Sequence, residues 1–232
     1  MTEWTLVRIR AYYREHADLV AGQLAGRDVA GFPPGSEIGP VRSGADVLAA
    51  ASRGIGGFLI TTRAAAGGVD RLMIQLTPGE GTDVAVAASV ALALGDAVVA
   101  EGLAADLRVG RVVTLLDGAG GLRLLLPCVA QDPGPARDRL DDLIAGYVAD
   151  TPELATTDPD QGDGRVLVST DPTDPSVFSW APYSLVPGSW PGVVMPLHRD
   201  DIAAASAGMP LEIEPEDVAD RLLLRGDLLA DR

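Results

Sequence analysis

Hydrophobic positions recur along residues 3 to 26 at intervals of three and four: Leu6, Ile9, Tyr13, His16, Val20 and Leu24. That period places them on one stripe of a helix, with Arg8, Arg10, Arg14, Glu15 and Asp18 mainly on its other faces. The stretch Leu6 to Arg10 also roughly alternates, so a strand start competes with the helix. Gly31-Phe32-Pro33-Pro34-Gly35 then breaks the chain. A short helix is expected next, with Ser43 as its cap and Val47, Leu48 and Ala51 on one side.

From Gly57 to Asp150 the pattern reads strand, strand, long helix, strand, strand, helix. Phe58 to Thr62 and Arg71 to Leu76 form the first expected hairpin, turning at Ala66-Gly67-Gly68. Thr82 or Asp83 is placed to cap a helix from about Asp83 to Ala104 that is apolar on nearly every face, as buried helices are. Arg111 to Leu116 and Leu122 to Val129 form a second hairpin across Asp117-Gly118-Ala119-Gly120-Gly121. A last helix starts near Pro133 and Pro135 and carries Leu140, Leu143, Ile144, Tyr147 and Val148 on one face.

Residues 150 to 176 change to Asp, Pro, Thr, Gly and Gln, interrupted only by Arg165-Val166-Leu167-Val168. Val177 to Tyr183 and Pro187 to Gly192 are rich in aromatic residues and proline; Val193 to Met195 suggests a strand. Arg199 to Ser206 and Pro215 to Arg225 read as short helices, the second closed by Gly226. The expected fold class is α+β: two antiparallel hairpins forming a sheet packed against a long buried helix, with flanking helices and a C-terminal α/β extension. The expected division is an N-terminal helix and turn (1–35), a principal domain (36–150), an acidic linker with a short strand (151–176) and a C-terminal extension (177–232).

Composition narrows the function. The 232 residues are 47% hydrophobic, enough for a substantial core, and the net charge is −15 with a sequence pI near 4.4. So acidic a chain argues against nucleic acid and against anionic membranes, since both need clustered cations. Lys and Asn are absent altogether. Their AT-rich codons point to a GC-rich bacterial genome, with actinobacteria the natural expectation, and the lack of Lys excludes Schiff-base and P-loop lysine chemistry. Cys128 is the sole cysteine, which suits a reducing compartment. The N-terminus lacks signal-peptide order, and Asp96 and Glu101 interrupt the most apolar run, Val84 to Ala105. A cytoplasmic location is expected.

No cluster names a reaction, so no catalytic residue, metal ligand or cofactor is expected. His16 lies on the helical stripe, where a packed histidine is the ordinary outcome. His198 starts a helix in Leu197-His198-Arg199-Asp200-Asp201, where Asp200 or Asp201 would orient an imidazole base. Asp158 to Gly164 fails as an EF-hand loop, because its fifth position is Gly162 and its twelfth is Ser169. No Gly-x-Ser-x-Gly elbow occurs, and Cys128 reads as a buried thiol. Gly79-Glu80-Gly81-Thr82 precedes a helix, but its acids would repel phosphate. Trp180, Tyr183 and Trp190 gather in a chain only 4% aromatic and are the expected partner-binding anchors.

Gly110-Arg111-Val112-Val113, Leu115-Leu116-Asp117-Gly118, Leu122-Arg123-Leu124 and Pro127 resemble the second hairpin of the type III secretion chaperone-like fold, which includes the YbjN family. The resemblance covers Gly44 to Asp150. It implies a non-enzymatic protein that dimerises and holds a segment of another protein, so a chaperone-like adaptor is the leading expectation. One alternative is a small-molecule enzyme or sensor with a pocket between main domain and extension, using His198, Arg199, Asp200 and Asp201. Another is a self-associating structural subunit, pairing through Leu6, Ile9, Tyr13 and Val20. The expected partners are another protein or a second copy, and neither nucleic acid nor membrane.

Overall fold

The computed structural model describes residues 5–63, 67–101, 112–130, 132, 134–187 and 192–230. The expected turn residue Ala66, the Gly110-Arg111 pair and Pro133 lie outside them. The N-terminal stripe forms α1 (Leu6–Leu24), started by Thr5, whose hydroxyl oxygen accepts from the Arg8 amide at 3.4 Å. Its buried side, which includes Tyr13, His16, Val20 and Leu24, packs on α2 (Gly44–Ser52). At the start of α2, Asp46 accepts from the Ser43 amide at 3.0 Å, closing the first turn. Beside these helices, β1 (Val29–Phe32) and β2 (Gly57–Ile60) pair antiparallel, and β8 (Ser179–Trp180) extends the sheet in the order β1-β2-β8. The Tyr13 ring meets Phe58 of β2 edge-on at 5.3 Å, locking helix to sheet.

The larger sheet has the order β11-β4-β5-β3-β7-β6, from β3 (Val69–Pro78), β4 (Val113–Leu116), β5 (Leu122–Ala130), β6 (Ala155–Thr156), β7 (Val166–Ser169) and β11 (Met195–Leu197). Every neighbouring pair is antiparallel except β6 with β7. Alternation along the strands splits their side chains between two faces. Leu72, Ile74, Leu76, Leu122, Leu124 and Leu126 bury in the main core, whose helical side is α3 (Val84–Ala100), flanked by α4 (Gly134–Asp150) and α5 (Arg199–Ser206). Fully burying each such side chain contributes about 1.5–3 kcal/mol. Asp83 caps α3 by accepting from the Ala85 and Val86 amides at 3.0 and 3.2 Å. On the opposite face Met73, Val113, Leu115 and Leu125 form a second, smaller cluster under Val186 and Val194. Those two belong to the segment holding the two-stranded pair β9 (Leu185–Val186) and β10 (Gly192–Val193), and α6 (Val218–Arg225) comes last.

The chain is thus a mixed helix-and-sheet protein with six α-helices among the described residues. The sheet is not built from two hairpins as the sequence suggested. Strands β2 and β3 lie in different sheets, with an isolated bridge between Arg63 and Val69 near their junction, while β4 and β5 do form a hairpin. Strand β7 lies beside β3, and β11 lies beside β4. Helix α1 also reaches the C-terminal segment: Tyr12 donates to the Tyr183 carbonyl at 2.7 Å, and the Tyr13 hydroxyl accepts from the Leu185 amide at 3.2 Å. Among the described residues no helix is long and apolar enough to cross a membrane.

Candidate functional site

The second face of the larger sheet is apolar at one end and polar at its centre. Strand β3 places Arg71, Met73, Gln75 and Thr77 on this face, and β5 adds Arg123 and Leu125. At the centre, the Arg123 Nε donates to Gln75 Oε1 at 3.0 Å, and Gln75 Nε2 donates to Asp117 Oδ2 at 2.9 Å. The other Asp117 oxygen accepts from the amides of Ala119 and Gly121 at 2.8 and 2.9 Å, which fixes the β4–β5 turn. Arg123 also donates from Nη1 to the Trp180 carbonyl at 3.2 Å, tying the relay to the smaller sheet. Arg123 and Asp117 are only 5% and 7% exposed, so the two charges, bridged by Gln75, interact away from bulk water. Burial pushes the guanidinium below its ordinary pKa, and the Asp117 charge acts in the opposite direction.

Toward the start of β3, two guanidinium groups share one carboxylate. Arg27 makes a two-pronged contact with Asp70, and Arg71 donates to the same group at 3.0 Å. Burial alone would raise the Asp70 carboxyl, yet the two arginines hold it below the usual value. Toward the other end, Ser169 of β7 stands directly opposite Gln75, and Leu167 opposite Thr77. Gln75 and Ser169 are half-buried and Thr77 is exposed, so these positions form an open polar rim beside the closed relay. At the sheet edge nearby, a groove of about 430 Å³ is lined by Arg137, Asp141, Leu167, Ser169 and Asp171 among others. There Arg137 lies 3.9, 3.7 and 3.9 Å from the carboxylates of Asp141, Asp171 and Asp174.

Of the residues singled out from the sequence, His198 and Asp200 meet, imidazole Nδ1 to carboxylate at 3.1 Å, and Tyr183 shares a small cavity with His198 and Asp201; the others lie apart. Trp180 is half-buried in β8, paired with Leu59, its ring 5.8 Å from Phe32. Tyr183 is fully buried with a left-handed φ of 62°, held by its amide on the Val194 carbonyl at 2.7 Å and its hydroxyl on Asp227. Trp190 lies outside the described residues. On α1, Tyr13 and Val20 have no exposed surface and Ile9 is half-buried, while Leu6 is 40% exposed. His198 caps α5: its Nδ1 is 3.3 Å from the Asp200 amide, and Asp201 accepts from the His198 amide at 3.1 Å. Arg199 grips Asp96 of α3 at 2.8 and 2.9 Å, and Asp201 is bound by Arg221. The cavity beside His198 measures only about 10 Å³, scarcely one water. Burial lowers the His16 imidazole pKa, against a Tyr12 ring 4.7 Å away, and raises that of the Cys128 thiol to about 11.

The relay itself went unremarked in the sequence. Its signal was present: Arg123 and Gln75 are long polar residues inside strands otherwise rich in leucine, isoleucine and methionine. A polar residue there must find a partner on the same sheet face.

A largely antiparallel sheet, with helices on one face and a polar relay on the other beneath the C-terminal segment, defines the class: a mixed helix-and-sheet domain. No family model and no curated protein matches the sequence. Among solved structures, the chain is similar to the polymerase domain of Mycobacterium tuberculosis Ligase D in complex with DNA. The TM-score is 0.80 at 21% identity, covering 97% of this chain and 91% of that one. The chain therefore shares the fold of that domain.

This corrects the resemblance to the type III secretion chaperone-like family, which rested on one hairpin and an order of elements that different folds share. The chaperone-like, protein-binding adaptor falls with it. So do the pocket enzyme or sensor, the self-associating subunit, and the expected protein or homodimer partner. The exclusion of nucleic acid is overturned as well, because a domain of this fold has been solved with DNA. Net charge sums over the whole molecule, whereas a binding face is set by the groups on it.

Proposed function

We propose that this chain is a nucleic-acid-binding domain of polymerase type, engaging a strand across the polar rim of β3 and β7. The observation that carries the reading is the near-complete match in fold to a polymerase domain solved in complex with DNA. Local chemistry supports the position. Thr77 exposes a hydroxyl; the Ser169 oxygen accepts from the Asp171 amide at 3.0 Å and keeps its proton to donate. Hydroxyls of this kind serve phosphate oxygens, positioning a backbone without reading its sequence. Beneath them Arg71 offsets Asp70 and Arg123 offsets Asp117, so the buried part of the face adds no unpaired negative charge. The carboxylates of Asp141, Asp171 and Asp174 beside Ser169 gather around Arg137, which offsets part of their charge next to the rim.

The test is fluorescence anisotropy with labelled single-stranded and gapped DNA at low salt. Wild-type protein is expected to bind, and the Thr77→Asp, Ser169→Asp double variant to bind about tenfold or more weakly, since each carboxylate near a phosphate costs on the order of 1 kcal/mol. Both positions reach solvent, so thermal stability should be unchanged. Equal affinity of the two proteins would move the interface elsewhere, and no binding by either would defeat the reading.

A further inference from the structure

Polymerases transfer nucleotides with paired divalent cations that carboxylates hold in place. Magnesium there takes one or two carboxylates together with substrate phosphates. The donors on this sheet face do not fit such ions. Thr77, Gln75 and Ser169 are neutral. Asp117 is the carboxylate at the centre, and both its oxygens are engaged, one by two amides and one by Gln75. Arg123, linked to Asp117 through Gln75, already offsets that carboxylate, so the centre offers a cation no net negative charge. At the sheet edge, the three carboxylates that converge do so on the guanidinium of Arg137. Among the described residues no group of three or more His, Cys, Asp or Glu side chains is arranged to hold a metal.

We infer that the sheet-face site is metal-independent: the Gln75–Asp117–Arg123 relay closes the centre with its own bridged charges, and nucleic acid is bound without divalent cation. This rests on the nucleic-acid reading above and adds to it that the domain holds a strand without extending it. The relay neutralises itself, so it needs no ion to be stable, and it leaves the hydroxyl rim to meet phosphate directly.

Two measurements on the intact chain decide it. Manganese is titrated into protein without DNA, following the electron paramagnetic resonance signal of the free ion. DNA affinity is then measured in EDTA and in Mn²⁺ at matched ionic strength, with a primer-extension lane alongside. The expected result is a signal that stays that of free manganese, DNA affinities agreeing within twofold, and no extended primer. Binding of one equivalent of manganese or more, tenfold tighter DNA binding with the ion, or an extended primer would overturn the inference while leaving the nucleic-acid reading intact. Free manganese with no DNA binding in either buffer would instead defeat the inference through the reading it rests on.

Discussion

Arg123 carries a positive charge into a strand whose neighbours are Leu122, Leu124, Leu125 and Leu126. Such a group is tolerated inside a protein only with charge and hydrogen-bond partners, here Gln75, Asp117 and the Trp180 carbonyl. Removing one partner leaves an uncompensated buried charge, whereas removing both ends replaces the pair. Arg123→Met and Asp117→Asn should each destabilise the protein, the former by about 3 kcal/mol. The double variant should cost less than the two together by about 1 kcal/mol or more. Urea denaturation of the three variants measures the coupling, and strictly additive costs would show that the relay is not one unit. In the sequence, the polar character of position 123 was visible but its partner was not. Gln75 is 48 positions away, and nothing local pairs the two.

At the scale of elements, the rim exists because β7 lies tightly against the end of β3. The Gly79 amide donates to the Arg165 carbonyl at 2.9 Å, and the Gly164 amide to the Glu80 carbonyl at 2.7 Å. A Cβ on Gly79 would fall 1.9 Å from the Gly162 carbonyl oxygen, a backbone atom with no freedom to move aside. Gly79→Ala should therefore destabilise by about 2 kcal/mol or more and pull β7 away from Gln75. Gly22→Ala, in α1 with open space around it, should instead stabilise by about 0.5–1 kcal/mol. Chemical denaturation of both variants tests the contrast, and an unperturbed Gly79→Ala protein would mean that the β3–β7 junction is loose. Elements whose signals are local were legible: α1 from its stripe, α3 from Asp83, and the β4–β5 hairpin from the turn at Asp117 to Gly121. Strand β7 was legible as a strand and silent about its partner. Four residues of alternating burial fit any sheet edge.

Across the whole molecule, one core cluster includes residues of α1, the larger sheet and the C-terminal helices, among them Tyr13, Ile74, Leu124 and Ile202. The fragment 36–150 would lack the α1 tyrosines, β7 and β11, exposing Leu76 and Leu116 along two strand edges. It is expected to give poorly dispersed amide resonances and no cooperative melt, while the full chain melts cooperatively. A folded fragment would establish residues 36–150 as an independent unit. By itself the sequence determined the helices, most strands and the presence of a large buried core, because period, caps and turn residues act over a few positions. Only the tertiary structure decided which strands are neighbours, which rim of the sheet reaches solvent and which polar groups meet beside it. Those depend on contacts between residues dozens of positions apart, where the chain's local pattern carries no information.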